Sequence, residues 1–128
     1  MRRADWVSRL FAVFKQYQNA EFSFGKHDCA MLSARCIDAM TGSDWSESLT
    51  YGDRRGAVRF LRAEGGLEAA VTKRLGEPVN GYNARRGDIC LIDKTTLGVC
   101  IGSVIAVCSD NSIEHYPLNS ALKHWRVE

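Results

Sequence analysis

The sequence predicts an α+β domain, with helices first and an antiparallel sheet after them. Three observations predict it. Between Trp6 and Leu75, apolar residues recur in four blocks at helical spacing. After residue 84 the texture changes to short, β-branched apolar runs separated by Gly, Asp, Asn and Ser, which is how an antiparallel meander reads. The two kinds of segment do not alternate, so a parallel βαβ arrangement is excluded. A chain of 128 residues, 45% hydrophobic and 25% charged, suits one globular domain spanning 1–128 and can bury one core but not two.

Each element has a local reason. Trp6, Leu10, Val13, Phe14 and Tyr17 form an apolar stripe, so a helix is expected over 5–18 with Asp5 as its N-cap. A loop from Asn19 to Lys26 follows, with Phe22 and Phe24 expected to tuck inward. Cys29, Leu32, Cys36, Ile37 and Met40 mark a second helix over 28–41, capped by Asp28 and stopped by Gly42. Residues 43–52 read as irregular, anchored by Trp45 and Leu49. Asp53 can cap a third helix carrying Ala57, Phe60 and Leu61, which Gly65-Gly66 ends. Leu67, Ala70, Val71 and Leu75 make a short fourth helix closed by Gly76 and Pro78. Strands are expected at 88–92, 97–102, 104–108 and 113–118, and 125–127 can add a fifth.

Composition excludes several classes of function. A net charge of +2 gives no strong pull toward nucleic acid or a membrane surface. No apolar run approaches the roughly 20 residues of a membrane span, and no apolar stretch follows Arg2-Arg3, so no signal peptide is expected. Five scattered cysteines are an odd number and read as reduced thiols rather than a disulfide framework. Cys90, Cys100 and Cys108 fall on successive expected strands with no close pair, so they are core residues and no metal site is expected. Cys36 reads as core too. No phosphate-binding glycine motif and no Gly-x-Ser-x-Gly is present. The arginines of the third helix, Arg54, Arg55, Arg59 and Arg62, read as a solvated face beside Asp53 and Glu64.

The chemistry concentrates at Phe24-Gly25-Lys26-His27-Asp28-Cys29. A glycine loop runs into a capping aspartate, which puts Cys29 at the first helical position. Free N–H groups and the positive end of the helix favour a thiolate there, the nucleophilic form of cysteine. A nucleophile needs a base within hydrogen-bond reach. His27 is near in sequence but poorly directed. His115 lies on an expected strand, and a helix end facing the sheet would bring it near Cys29. His124 reads as a surface residue.

Several of these stretches resemble a known family. Gly25, Asp28-Cys29-Ala30 at a helix start, Arg86-Gly87-Asp88-Ile89-Cys90-Leu91-Ile92 and Leu97-Gly98-Val99-Cys100-Ile101-Gly102 resemble the NlpC-type cell-wall peptidases, which are papain-like cysteine hydrolases. Ala39-Met40-Thr41-Gly42, Gly65-Gly66-Leu67 and Trp125-Arg126-Val127 are similar to a group of phage- and prophage-encoded proteins of unassigned function, a likeness that covers most of the chain. The resemblance implies a papain-like domain whose Cys29 helix lies on the sheet. It also carries a departure. In the peptidases the general-base histidine opens the second strand of the sheet, and here that position is Thr96. Threonine cannot take a proton from a thiol at neutral pH.

Two functions follow from the resemblance. The first is a structural component of a phage tail tip or baseplate with a degenerate site, partnered by other tail proteins. The second is an active thiol hydrolase cutting peptidoglycan stem peptides during genome entry, with Cys29 as nucleophile and His115 or His27 as base. Neither calls for a cofactor, nucleic acid or membrane insertion. Both imply synthesis in the bacterial host cytoplasm followed by delivery in the virion.

Overall fold

A computed structural model of the protein describes residues 2–18, 20–109 and 112–128, without the side chain of Ser112. Met1 of the N-terminal segment and Asn19, the expected start of the first loop, lie outside the described residues. The helices are α1 (Trp6–Tyr17), α2 (Cys29–Thr41), α3 (Arg54–Glu64) and α4 (Leu67–Leu75), with a 3₁₀ turn at Trp45–Ser48. The strands are β1 (Val79–Asn80), β2 (Ile89–Asp93), β3 (Thr96–Cys100), β4 (Val104–Ser109), β5 (Ser112–Pro117) and β6 (Lys123–Trp125). They form one antiparallel sheet in the order β1-β6-β2-β3-β4-β5.

The caps show why the helices begin and end where they do. Asp28 and Asp53 are extended, and each accepts a 2.7 Å bond from the third residue on, Met31 N and Gly56 N. Gly42 and Gly65 take the left-handed conformation that ends α2 and α3, at φ 76° and 90°. Asp5 departs from expectation. Its carboxylate makes no cap bond and turns outward to Arg9 Nε at 2.9 Å, a pairing one helical turn along that competes for the same oxygens.

β2 to β5 are a meander, but β6 does not continue it. The chain passes through a 3₁₀ turn at Leu118–Ser120 and inserts β6 between β1 and β2. Trp125 therefore pairs with Ile89, and His124 with Cys90 and Val79. This corrects the reading of His124 as a surface residue: it is 5% exposed, because an interior strand carries it. β1 was not anticipated, since two exposed residues beyond Pro78 carry no periodicity.

One face of the sheet takes the helices. Leu10, Val13, Tyr17, Leu32, Cys36, Met40 and Val71 meet Ile89, Leu91, Val99 and Trp125 there. The opposite face is smaller: Cys90, Cys100, Ile105 and Val107 lie under Ala84 and Ala121 from the connecting loops. β2, β3 and β4 are thus covered on both sides, which is why they read as unbroken apolar runs rather than alternating ones. As expected, Cys36, Cys90, Cys100 and Cys108 are all buried and unpaired.

Gly98 sits where that smaller face is tightest. A Cβ there would collide with Ile105 Cγ2 and lie 2.9 Å from Val107 Cγ2 and 3.1 Å from the Ala106 carbonyl oxygen. Those atoms belong to a neighbouring strand and cannot swing away. Gly98→Ala is expected to destabilise the protein by about 2–3 kcal/mol, the upper part of the overpacking range. Urea unfolding would show it as a lower midpoint at constant slope.

Candidate functional site

The loop before α2 is a tight five-residue turn, Ser23 to His27, closed on itself. Ser23 N donates to the His27 carbonyl at 3.1 Å, and His27 N returns a bond to the Ser23 carbonyl at 2.8 Å. Gly25 takes φ 85°, and its backbone lies so close to the Tyr51 carbonyl that no side chain fits. Asp28 organises the junction. Besides capping α2, its Oδ2 accepts from Gly25 N at 2.7 Å and from the Tyr51 hydroxyl at 3.0 Å. The aspartate is 3% exposed, so these donors replace water for it.

Cys29 is the first residue of α2 and is half-buried. Its thiol donates to the Thr95 carbonyl at 3.7 Å, and the Leu97 and Ala30 N–H groups lie beside the sulfur. Those two amides favour a thiolate, but burial outweighs them and the charges of Asp28 and Asp93 oppose ionisation as well. The thiol is pushed up to about 11. At neutral pH the site therefore holds a protonated thiol, contrary to what the helix end alone implies.

Thr96 opens β3, between the two residues whose backbone atoms touch the sulfur. Asp93, at the end of β2, stands across the two-residue turn from it. Thr95 N–H donates to Asp93 Oδ1 at 2.9 Å and the Thr95 hydroxyl donates at 3.2 Å. The Thr95 amide, aided by the Thr96 and Thr95 hydroxyls, holds the Asp93 carboxyl below its ordinary range. The Thr96 hydroxyl is thus turned to Asp93, and it is the backbone of this turn, at Thr95 and Leu97, that meets Cys29.

The histidines lie elsewhere. The His27 ring packs edge-on against Tyr17, with centroids 5.0 Å apart, and its carbonyl accepts from the Cys108 thiol at 3.2 Å. His115 is exposed on β5, opposite Ala106, and lines a groove with Phe11, Phe14 and Lys15 of α1. Cys108, whose ionisation a Cys29 thiolate would oppose, pairs with Ile113. His115 is two residues further along the strand, about 7 Å on. His124 is on the far face of the sheet with Cys90. Among the described residues, no histidine figures in the charges or hydrogen bonds that act on the Cys29 thiol.

Sequence reasoning located Cys29, its cap and the position of Thr96. It missed Asp93 and Tyr51. Asp93-Lys94-Thr95 was legible as a turn between apolar runs, though not as the turn that meets Cys29. Nothing in the sequence ties Tyr51 to Asp28. Among the described residues, no three of His, Cys, Asp and Glu converge as metal ligands, and no helix is long and apolar enough to cross a membrane.

No curated protein matches the sequence. A family profile matches residues 1–127, nearly all of the sequence that builds the Cys29 helix and the sheet beneath it, and the chain accordingly belongs to the DUF6950 family of domains of unknown function.

Proposed function

We propose that the protein is an NlpC-like, papain-like domain that serves as a structural component of a phage tail tip or baseplate, its thiol site silent. The observation that carries this reading is the residue at the position of the peptidases' base. The position that holds a histidine in the peptidases the sequence resembles holds Thr96 here, flanked by the Thr95 carbonyl and Leu97 amide that touch the sulfur. A half-buried, protonated thiol with no histidine acting on it among the described residues fits a scaffold kept after its chemistry is lost. A second reading, a thiol hydrolase cutting peptidoglycan stem peptides, draws support from the Ala30 and Leu97 N–H groups. Donors of that kind can hold an oxyanion.

Two measurements separate these readings. Purified protein incubated with peptidoglycan sacculi is expected to release stem peptides at background rate, equally for wild type and Cys29→Ala. Release that depends on Cys29 would establish the hydrolase instead. Mass spectrometry of purified phage particles from the encoding strain is expected to find the chain in the virion. Its absence from particles would sink the structural role.

The thiol itself provides a further check. Iodoacetamide labelling of Cys29 is expected to be slow at pH 7.5 and to rise with an apparent midpoint near 11, against about 8.5 for an unperturbed thiol. Thr96→His is expected to move that midpoint down, because an imidazole there can accept the proton. A midpoint below 8.5 in the wild type would contradict the silent site.

A further inference from the structure

The outer face of α3 carries Arg54, Arg55, Arg59 and Arg62, all exposed, around Val58, which is 46% exposed. Together the five line one shallow depression. The simplest account of such a face is a solvated surface balanced by neighbouring acids. The structure pairs neither of those carboxylates with the four arginines. Asp53 turns its Oδ1 onto the Gly56 amide at 2.7 Å. Glu64 is held by Lys73 at 3.0 Å and Arg74 at 3.1 Å. Glu68, on the next helix, pairs with Lys123 at 3.0 Å. Among the described residues, no carboxylate pairs with any of the four guanidiniums.

The arrangement works against the helix that bears it. Arg55 and Arg59 are one turn apart, as are Arg59 and Arg62, and like charges at those spacings destabilise a helix. Arg54 and Arg55 also put positive charge at the helix N-terminus, where the macrodipole is already positive. Four cations so placed carry twice the net charge of the whole chain, which is +2.

We propose that the outer face of α3 is a docking surface for an acidic segment of a partner protein. The segment carries carboxylates on either side of an apolar side chain that covers Val58. Two features favour protein carboxylate over the phosphates of a nucleic acid. An exposed apolar residue sits at the centre of the patch, where a phosphate backbone has nothing to offer it. The helix tip, the usual phosphate seat, is occupied by the Asp53 carboxylate. Arginine rather than lysine at all four positions suits bidentate pairing with carboxylates. The face spans about 12 Å from Arg54 to Arg62 along the axis, at 1.5 Å per residue. A partner helix with acidic residues one turn apart over just more than two turns, at about 5.4 Å per turn, matches that length. This surface is independent of the Cys29 site and stands whether or not that site is silent.

The test uses the full chain and three probes: a 20-residue helical peptide with glutamates one turn apart flanking leucines, a scrambled peptide of equal charge, and a 20-base-pair DNA duplex. Fluorescence anisotropy at physiological salt is expected to show the patterned peptide binding at least tenfold more tightly than the scramble and than the DNA. R55E/R59E is expected to weaken that binding at least 30-fold, and V58D at least fivefold. Arg55→Gln with Arg59→Gln is expected to lose binding while the thermal midpoint stays level or rises, since repulsion is relieved. Equal binding of patterned and scrambled peptides, tighter binding of DNA, or undiminished binding by R55E/R59E would each overturn the proposal.

Discussion

Raising the pH of the reduced protein from about 9 to about 12 is expected to unfold it without denaturant, through the linkage between thiol ionisation and folding. Cys36 and Cys90 are 0% exposed and Cys108 is 7% exposed. Burial disfavours the thiolate in each: Cys90 and Cys108 are pushed up to about 12, and Cys36 is pushed up further. In the unfolded chain the same thiols ionise near 8.5. The folded values are raised, so the stabilisation is complete below the unfolded value and is lost as pH climbs toward the folded ones. Once the unfolded thiols have ionised, each costs about 1.4 kcal/mol per pH unit, or about 4 kcal/mol per unit for the three together. A domain stable by about 5–15 kcal/mol is exhausted within about one to four such units, which sets a midpoint between roughly pH 10 and pH 12. Tyr17 and Tyr51, whose phenols burial also pushes up, steepen the upper part of the transition. Urea midpoints measured in reductant at successive pH values would check this. Cys90→Val and Cys108→Ala should each shift the alkaline transition upward, if their packing losses are corrected at pH 7. A urea midpoint that holds constant from pH 8.5 to 10.5 would contradict the account.

Asp28→Ala is expected to cost about 3–5 kcal/mol, well above the 0.5–2 kcal/mol of an ordinary N-cap. The reason is the number of donors that meet at one carboxylate. Met31 N, Gly25 N and the Tyr51 hydroxyl all donate to Asp28 at 2.7–3.0 Å. Removing the acceptor leaves a buried amide, a part-buried amide and a part-buried phenol without that partner, each costing about 1 kcal/mol or more. Tyr51→Phe removes one donor and should cost about 1 kcal/mol. Asp28→Asn keeps one acceptor oxygen and should fall between the two. Urea unfolding gives all three values. In addition, Asp28→Ala should speed Cys29 labelling, because the turn that seats the helix start loses its anchor. A loss no larger than that of Tyr51→Phe would show that the carboxylate is not the organising group.

Much of this architecture was legible in the sequence because it is local. The span of α2 from Cys29 to Thr41 follows from an aspartate before an apolar stripe and a glycine after it, both acting within one helical turn. The meander from β2 to β5 follows from short runs and turns. What failed did so where a residue's neighbour is distant in sequence. β6 was expected two residues later, at the end of the chain, and His124 was expected at the surface. Its burial depends on the insertion of β6 between β1 and β2, a choice no local pattern encodes. Asp5 failed for a smaller reason, since Arg9 one turn along outcompeted the cap.

The sequence alone determined the order of helices and strands and the seat of Cys29 at a helix start. Each of these rests on spacing and on the chemistry of a single side chain, whereas Thr96 was singled out by the resemblance to the peptidases. The tertiary structure alone decided the state of the sulfur. A helix end by itself favours the thiolate, but burial against β3 and the nearby charges of Asp28 and Asp93 outweigh that end and keep the proton on. The helix field acts within one turn, whereas desolvation depends on everything the fold brings around the atom.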